Sequence, residues 1–139
     1  MKLYSLIIAA FLSTPSFAAD VAIEMLNKDA DGNKMVYSQE LVKIKVGDTV
    51  TWLPSSKGHN VEMISSPNKM KFKSKNGKEA KITFDTPGIY YYLCTPHKGI
   101  GMIGLVVVGK DISNINDVKK AKAYGKSKKK LKKLLASLE

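Results

Sequence analysis

The sequence predicts a mainly β fold, a sandwich or barrel of short strands extended by two C-terminal helices. Three observations carry this expectation. Short alternating or β-branched segments recur between residues 20 and 109, separated by turn residues. The composition changes after Gly109, where lysine becomes abundant and β-branched runs disappear. Near the end, Leu131, Leu134, Leu135 and Leu138 fall at i, i+3, i+4 and i+7, one apolar stripe of a helix.

The elements follow in order. Val21–Leu26 alternates, and Leu41–Val46 does so cleanly, with Lys43 and Lys45 between Val42, Ile44 and Val46. Gly47-Asp48 is a turn, and Thr49–Leu53 is a strand that Pro54–Gly58 breaks. Ile64–Lys78 holds Ser65-Ser66-Pro67-Asn68 and then a lysine-rich stretch, and it reads as an irregular connection between sheets. Ala80–Phe84 alternates again, Thr86-Pro87-Gly88 turns, and Ile89–Leu93 is β-branched and aromatic. Ile103–Val108 is apolar throughout, as suits a strand near a sheet centre. Ser113 or Asn114 caps a helix over 115–124, which Gly125 ends, and Ser127 caps a second helix. Leucine stripes belong to cores more often than to membrane surfaces, so this helix is expected to pack on the sandwich with its lysines in water.

The chain has 139 residues, enough for one domain. Residues 1–18 read as a signal peptide. Lys2 precedes the apolar run Leu3–Leu12, and small residues at Ala18 and Ala19 offer cleavage after either one. The run is too short to span a bilayer. The organisation expected is therefore a signal peptide at 1–18, a β-sandwich at 19–109 and a two-helix extension at 110–139 packed on the same domain. An exported chain of this kind works in a periplasm. All 23 basic residues are lysine, against 12 acids, and the formal net charge is +11. The excess is concentrated in residues 110–139, which hold ten lysines and three acids. Such a charge favours acidic partner proteins or polyanions. Nothing in the motifs points to nucleic acid or stable membrane insertion, and a monomer is expected.

One segment carries the chemistry. Cys94-Thr-Pro-His97-Lys-Gly-Ile-Gly-Met102 holds the only cysteine and one of two histidines, and His59 lies upstream in a Gly-His-Asn context. A single cysteine cannot form an internal disulfide, and a bare thiol outside the cytoplasm is open to oxidation unless buried or coordinated. A thiolate, two imidazoles and a thioether together match the trigonal His₂Cys copper site with a weak axial Met. Zinc in a structural site takes four strong ligands, and a thioether is a poor fourth. Gly99 and Gly101 permit a tight loop, and Pro96 stiffens it. The expected ligands are thus His59, Cys94, His97 and Met102, holding one copper. With two histidines in all, the chain lacks ligands for the further coppers of an oxidase, so no enzyme is expected. A copper store and a purely cationic binding protein are the rival readings.

Cys-x₂-His-x₄-Met after an upstream Gly-His-Asn resembles the cupredoxins, with a spacing shared by plastocyanins and pseudoazurins. The helical extension and further matches single out the pseudoazurins. They are Met25-Leu-Asn-Lys28, Asp31-Gly32 with Met35-Val36, Gly47-Asp-Thr-Val50, Lys57-Gly-His-Asn60, Phe72-Lys-Ser-Lys75 and Cys94-Thr-Pro-His97. The resemblance spans essentially the whole mature chain. It implies a Greek-key β-sandwich, a type 1 copper on those four ligands, and a backbone N–H of Asn60 donated to the Cys94 sulfur, with Pro96 also supporting the site. It implies an electron carrier that donates to acidic-surfaced redox proteins such as copper nitrite reductase and is reduced by a cytochrome or other donor. Lys28, Lys57, Lys73 and Lys98 would ring the docking face. The chain departs from relatives in Leu93 before the cysteine, in a short stretch between Ile64 and Phe72, and in its lysine-rich last helix.

Overall fold

The computed structural model describes residues 13–139. The apolar run Leu3–Leu12 of the expected signal peptide lies outside the described residues. Two four-stranded sheets face each other. The first has the order β2 (Lys34–Tyr37), β1 (Asp20–Lys28), β4 (Thr49–Leu53), β6 (Ala80–Thr83). The second has the order β3 (Leu41–Ile44), β8 (Ile103–Val108), β7 (Gly88–Leu93), β5 (Glu62–Ser65). Parallel pairing of β1 with β4 and of β3 with β8 requires crossovers between the sheets, and the other pairs are antiparallel. This is the expected Greek-key sandwich.

Side chains alternate across a strand, so each sheet has two faces. Ile23, Met25, Val50, Trp52 and Ile82 of the first sheet meet Val42, Ile44, Tyr90, Tyr92, Val106 and Val108 of the second in one buried cluster. The opposite face of the second sheet offers Ile89, Tyr91, Leu93, Ile103, Leu105 and Val107. Those residues are covered by helices α1 (Ile115–Lys120) and α2 (Lys126–Ala136), through Val118, Leu131 and Leu135. Both faces of β8 are therefore dry, which is why Ile103–Val108 is apolar throughout. Aromatic rings fill the interior edge to face. Tyr92 lies 5.0 Å from Tyr37 and 5.1 Å from Trp52. Gly104 is the residue that admits the Tyr92 ring, since a Cβ there would lie 2.3 Å from the tyrosine hydroxyl.

The structure corrects several expectations. Strands β2 and β5 were not anticipated, and β1 is longer at both ends. The first helix ends at Lys120, with Ala121 as its C-terminal flank, rather than running to residue 124. Gly125 does not end it but begins α2, and Ser127 lies inside the first turn of α2, wholly buried, so it is not the cap. The leucine stripe does face the sandwich, and its burial there removes the membrane-lying reading of this helix. Among the described residues, no helix is long and apolar enough to cross a membrane.

Asp48 ties the far corner of the sandwich together. Its carboxylate accepts the Ala19 N–H at 2.8 Å and the Lys45 N–H at 2.9 Å, while its carbonyl accepts the Phe84 N–H. The Ala19 and Lys45 amides hold the carboxyl below its usual range, against a small opposing effect of burial. A depressed carboxyl pKa contributes stability that is present above the ordinary value near 3.9 and is lost as pH falls through the folded value. Asp48→Asn should therefore lower the urea midpoint at pH 7, and the deficit should shrink towards zero below about pH 4. A deficit independent of pH would contradict this role. Gly104→Ala should overpack the core and cost about 1–3 kcal/mol in urea unfolding.

Candidate metal centre

Tyr90, Tyr92 and Cys94 share the inward face at the end of β7, so strand alternation itself aims the thiol into the molecule. One 3₁₀ turn, Thr95–His97, follows. Pro96 stands in the first turn of that helix, where its missing N–H costs nothing. The chain then folds back on itself. The His97 carbonyl accepts the amides of Ile100 at 3.2 Å and Met102 at 3.4 Å, and the Met102 carbonyl accepts the Cys94 amide at 2.9 Å. Gly101, at φ 104°, makes the reversal. Gly99 takes no left-handed conformation.

His59 arrives from the segment after β4, where Gly58 (φ 88°) turns the chain. Its Nδ1 lies 3.1 Å from His97 Nδ1 and 3.7 Å from Cys94 Sγ, and His97 Nδ1 lies 3.4 Å from the same sulfur. The other nitrogen of His59, Nε2, lies 2.7 Å from Asn27 Oδ1. That carboxamide oxygen can only accept, so Nε2 carries the proton and the Nδ1 lone pair faces the thiol. The centre of the triangle formed by the three donor atoms is roughly 2 Å from each, close to a metal–imidazole bond and slightly short of a metal–thiolate bond. The donor set and its spacing thus suit a soft to borderline metal ion. Met102 is fully buried in the same cluster as Cys94.

Asn60 joins the two segments. Its Oδ1 accepts the Thr95 amide at 2.8 Å, and its Nδ2 donates to the Thr95 hydroxyl at 2.9 Å. Thr95 in turn donates to Glu62 at 2.6 Å, and the Tyr37 hydroxyl donates to the Asn60 carbonyl at 2.7 Å. Sequence reasoning singled out Asn60 for its backbone and missed its carboxamide, along with Asn27, Thr95, Tyr37 and Glu62. Asn27 and Thr95 each had a signal, their places in Met25-Leu-Asn-Lys28 and Cys94-Thr-Pro-His97; for the other two there was none.

Burial pushes the thiol pKa up, and the Asn60 and His97 amides only partly offset it. Burial lowers the pKa of both imidazoles, helped at His59 by the neighbouring His97. The metal-free site at neutral pH therefore holds a protonated thiol and neutral imidazoles. His59, Cys94 and Met102 are fully buried, whereas His97 is partly exposed beside exposed Pro96 and half-exposed Ile100. Lys28 and Lys57 are exposed; Lys73 is exposed and faces Glu62 at 3.6 Å. The Lys98 ammonium sits 4.4 Å from the centre of the Tyr124 ring.

Residues 23–109 match the copper binding proteins of the plastocyanin/azurin family. A protein described as a putative pseudoazurin of Rhizobium leguminosarum bv. viciae is 42% identical over 124 residues, 87% of this chain and 81% of that one. Pseudoazurin of Paracoccus pantotrophus is 38% identical over 130 residues, covering 91% and 89%. Among solved structures, a pseudoazurin from Sinorhizobium meliloti superposes with a TM-score of 0.81 at 39% identity, covering 87% of this chain and 97% of that one. The chain belongs to the plastocyanin/azurin family of copper-binding proteins, among the pseudoazurins. Pseudoazurins and other cupredoxins carry electrons and are not enzymes, and their cofactor is copper.

Metal uptake by this site must displace the thiol proton. Between the usual imidazole and thiol values, about pH 6.5 to 8.5, the apparent copper affinity should rise close to tenfold per pH unit. Calorimetry in buffers of different ionisation enthalpy should count about one proton released per copper. No proton release would contradict a buried thiol ligand.

Proposed function

We propose that the chain is a periplasmic electron carrier in which His59, Cys94, His97 and Met102 hold one type 1 copper and the His97 edge passes the electron. The observation that carries this reading is the convergence of two imidazole nitrogens and one thiol within 3.7 Å, with only His97 reaching the surface. Bound copper would cycle between Cu(I) and Cu(II), taking and giving one electron at a time. The residues around it do the rest. Asn27 holds His59 in one tautomer, Asn60 and Thr95 hold the two ligand segments together, and the dry aromatic interior excludes water.

Docking is a matter of charge and a small contact. On this reading Lys28, Lys57, Lys73 and Lys98 form the ring around the His97 end that the family resemblance implies; the first three are exposed, and Pro96 and Ile100 beside His97 offer a small uncharged patch. Such a surface suits an acidic redox protein that binds briefly, with a copper nitrite reductase as acceptor and a cytochrome or similar protein as donor. Export is supported by the pattern of residues 1–18. The fold starts immediately after it, since Ala19 already donates to Asp48 and accepts the Thr49 amide at 2.9 Å. Cleavage after Ala18 keeps both bonds.

A visible spectrum with Cu(II) tests the centre. An intense thiolate-to-copper band should appear, bleach with ascorbate, and be absent in Cys94→Ala; its persistence in that variant would refute the assignment. Met102→Gln should keep the colour and lower the potential, because a stronger axial donor favours Cu(II). Raising ionic strength from about 0.01 to 0.15 M should slow electron transfer to an acidic partner about tenfold or more. A rate independent of salt would remove the steering role of the lysines.

A further inference from the structure

The beginning of α2 lies directly on the ligand loop. The Lys126 amide donates to the Gly99 carbonyl at 2.9 Å, and the Ser127 hydroxyl donates to the Lys98 carbonyl at 2.5 Å. Ser127 is fully buried. Gly125, at φ 47°, comes so close that a Cβ on it would lie 2.4 Å from the Gly99 oxygen. Tyr124, one residue earlier, receives the Lys98 ammonium on its ring.

A helix starts with amides that have no partner inside the helix, and a capping side chain normally accepts one. The residue preceding α2 is Gly125, which has no side chain to accept. The Gly99 carbonyl of the ligand loop takes that place at Lys126. The service is reciprocal. Gly99 and Ile100 are the exposed tip of the loop, and without α2 the Lys98 and Gly99 carbonyls would be free to turn. The support itself is rigid, because Leu131 and Leu135 anchor α2 in the cluster that contains Leu105 and Val107 of β8.

We propose that the first turn of α2 positions the ligand loop, with Ser127 as the positioning residue. It acts through Lys98, the next residue after His97, and keeps the imidazole in one place relative to Cys94. The C-terminal extension thereby serves electron transfer as well as core burial, since a ligand that does not move between oxidation states keeps the transfer fast. The proposal rests on the reading of His97 as a copper ligand given above.

The test compares native protein with Ser127→Ala, Ser127→Thr and Gly125→Ala. Amide hydrogen exchange at Ile100 and Met102, both bonded to the His97 carbonyl, is measured in the metal-free and Cu(I)-loaded forms. Electron self-exchange is measured in the loaded form. Ser127→Ala should speed exchange of both amides about five- to tenfold, the loss expected for one hydrogen bond, while amides of β7 and β8 change by less than about twofold. Self-exchange should slow severalfold, and Ser127→Thr should restore both readouts. Gly125→Ala should perturb the same amides more strongly. Loop amides that accelerate only in step with strand amides, or native self-exchange in Ser127→Ala, would overturn the proposal. Loop-specific acceleration in a metal-free protein that never turns blue would support the positioning role and overturn the ligand reading alone.

Discussion

The Asn60 carboxamide makes one site out of two pieces of chain. His59 comes from a segment between β4 and β5, whereas Cys94, His97 and Met102 come from the β7–β8 turn. Bonding both polar atoms of one side chain to Thr95 fixes the relative position of these segments, and Asn60 itself is buried, which strengthens its hydrogen bonds electrostatically. Tyr37 holds the Asn60 carbonyl and Glu62 holds the Thr95 hydroxyl, so neither partner can turn away. These bonds hold the three donor atoms in one trigonal arrangement. That preorganisation is what an electron carrier needs, because little has to move when the charge on the metal changes.

The second constraint is that β7 and β8, the strands joined by the ligand loop, are buried on both faces. Alternation along β7 sends Tyr90, Tyr92 and Cys94 into the sandwich and Ile89, Tyr91 and Leu93 towards the helices. An apolar outer face obliges the chain to supply a cover, and the two helices are that cover. Once α2 lies across β8, its first turn is beside the loop that joins β7 to β8. The contacts of Lys126 and Ser127 with the Lys98 and Gly99 carbonyls follow from this placement. Its lysines, having no room on the covered face, lie on the solvent side and give the molecule much of its positive charge.

Much of this was legible in the residues. The ligand quartet was readable because each member has few competitors: one cysteine, two histidines, and a methionine at the end of the same short loop. The strands with clean alternation, such as Leu41–Ile44 and Ala80–Thr83, were readable because period-two patterning has little else to mean. β5 was hidden because Glu62–Ser65 is short, has a register shift in its pairing with β7, and precedes a lysine-rich stretch. The end of the first helix was misplaced because Ala121–Tyr124 looks helical in composition, while Gly125 looks like a terminator. Its φ of 47° in fact serves a close approach to Gly99, a tertiary requirement with no local signature. Ser127 misled for the same reason. A serine before a leucine stripe resembles a cap, yet its hydroxyl is spent on the ligand loop. The partners of Asn60 lie up to 35 residues away in sequence and could not be paired without the fold.

The claim that most depends on all of this is that the ligands do not move when the oxidation state changes. X-ray absorption fine structure of the Cu(I) and Cu(II) forms at neutral pH measures it directly. Two nitrogens and one short sulfur should be present in both forms, with bond lengths that differ by about 0.1 Å or less around the 2.0–2.3 Å expected of such donors. Loss of a nitrogen or a large lengthening of the sulfur bond on reduction would contradict a preorganised site.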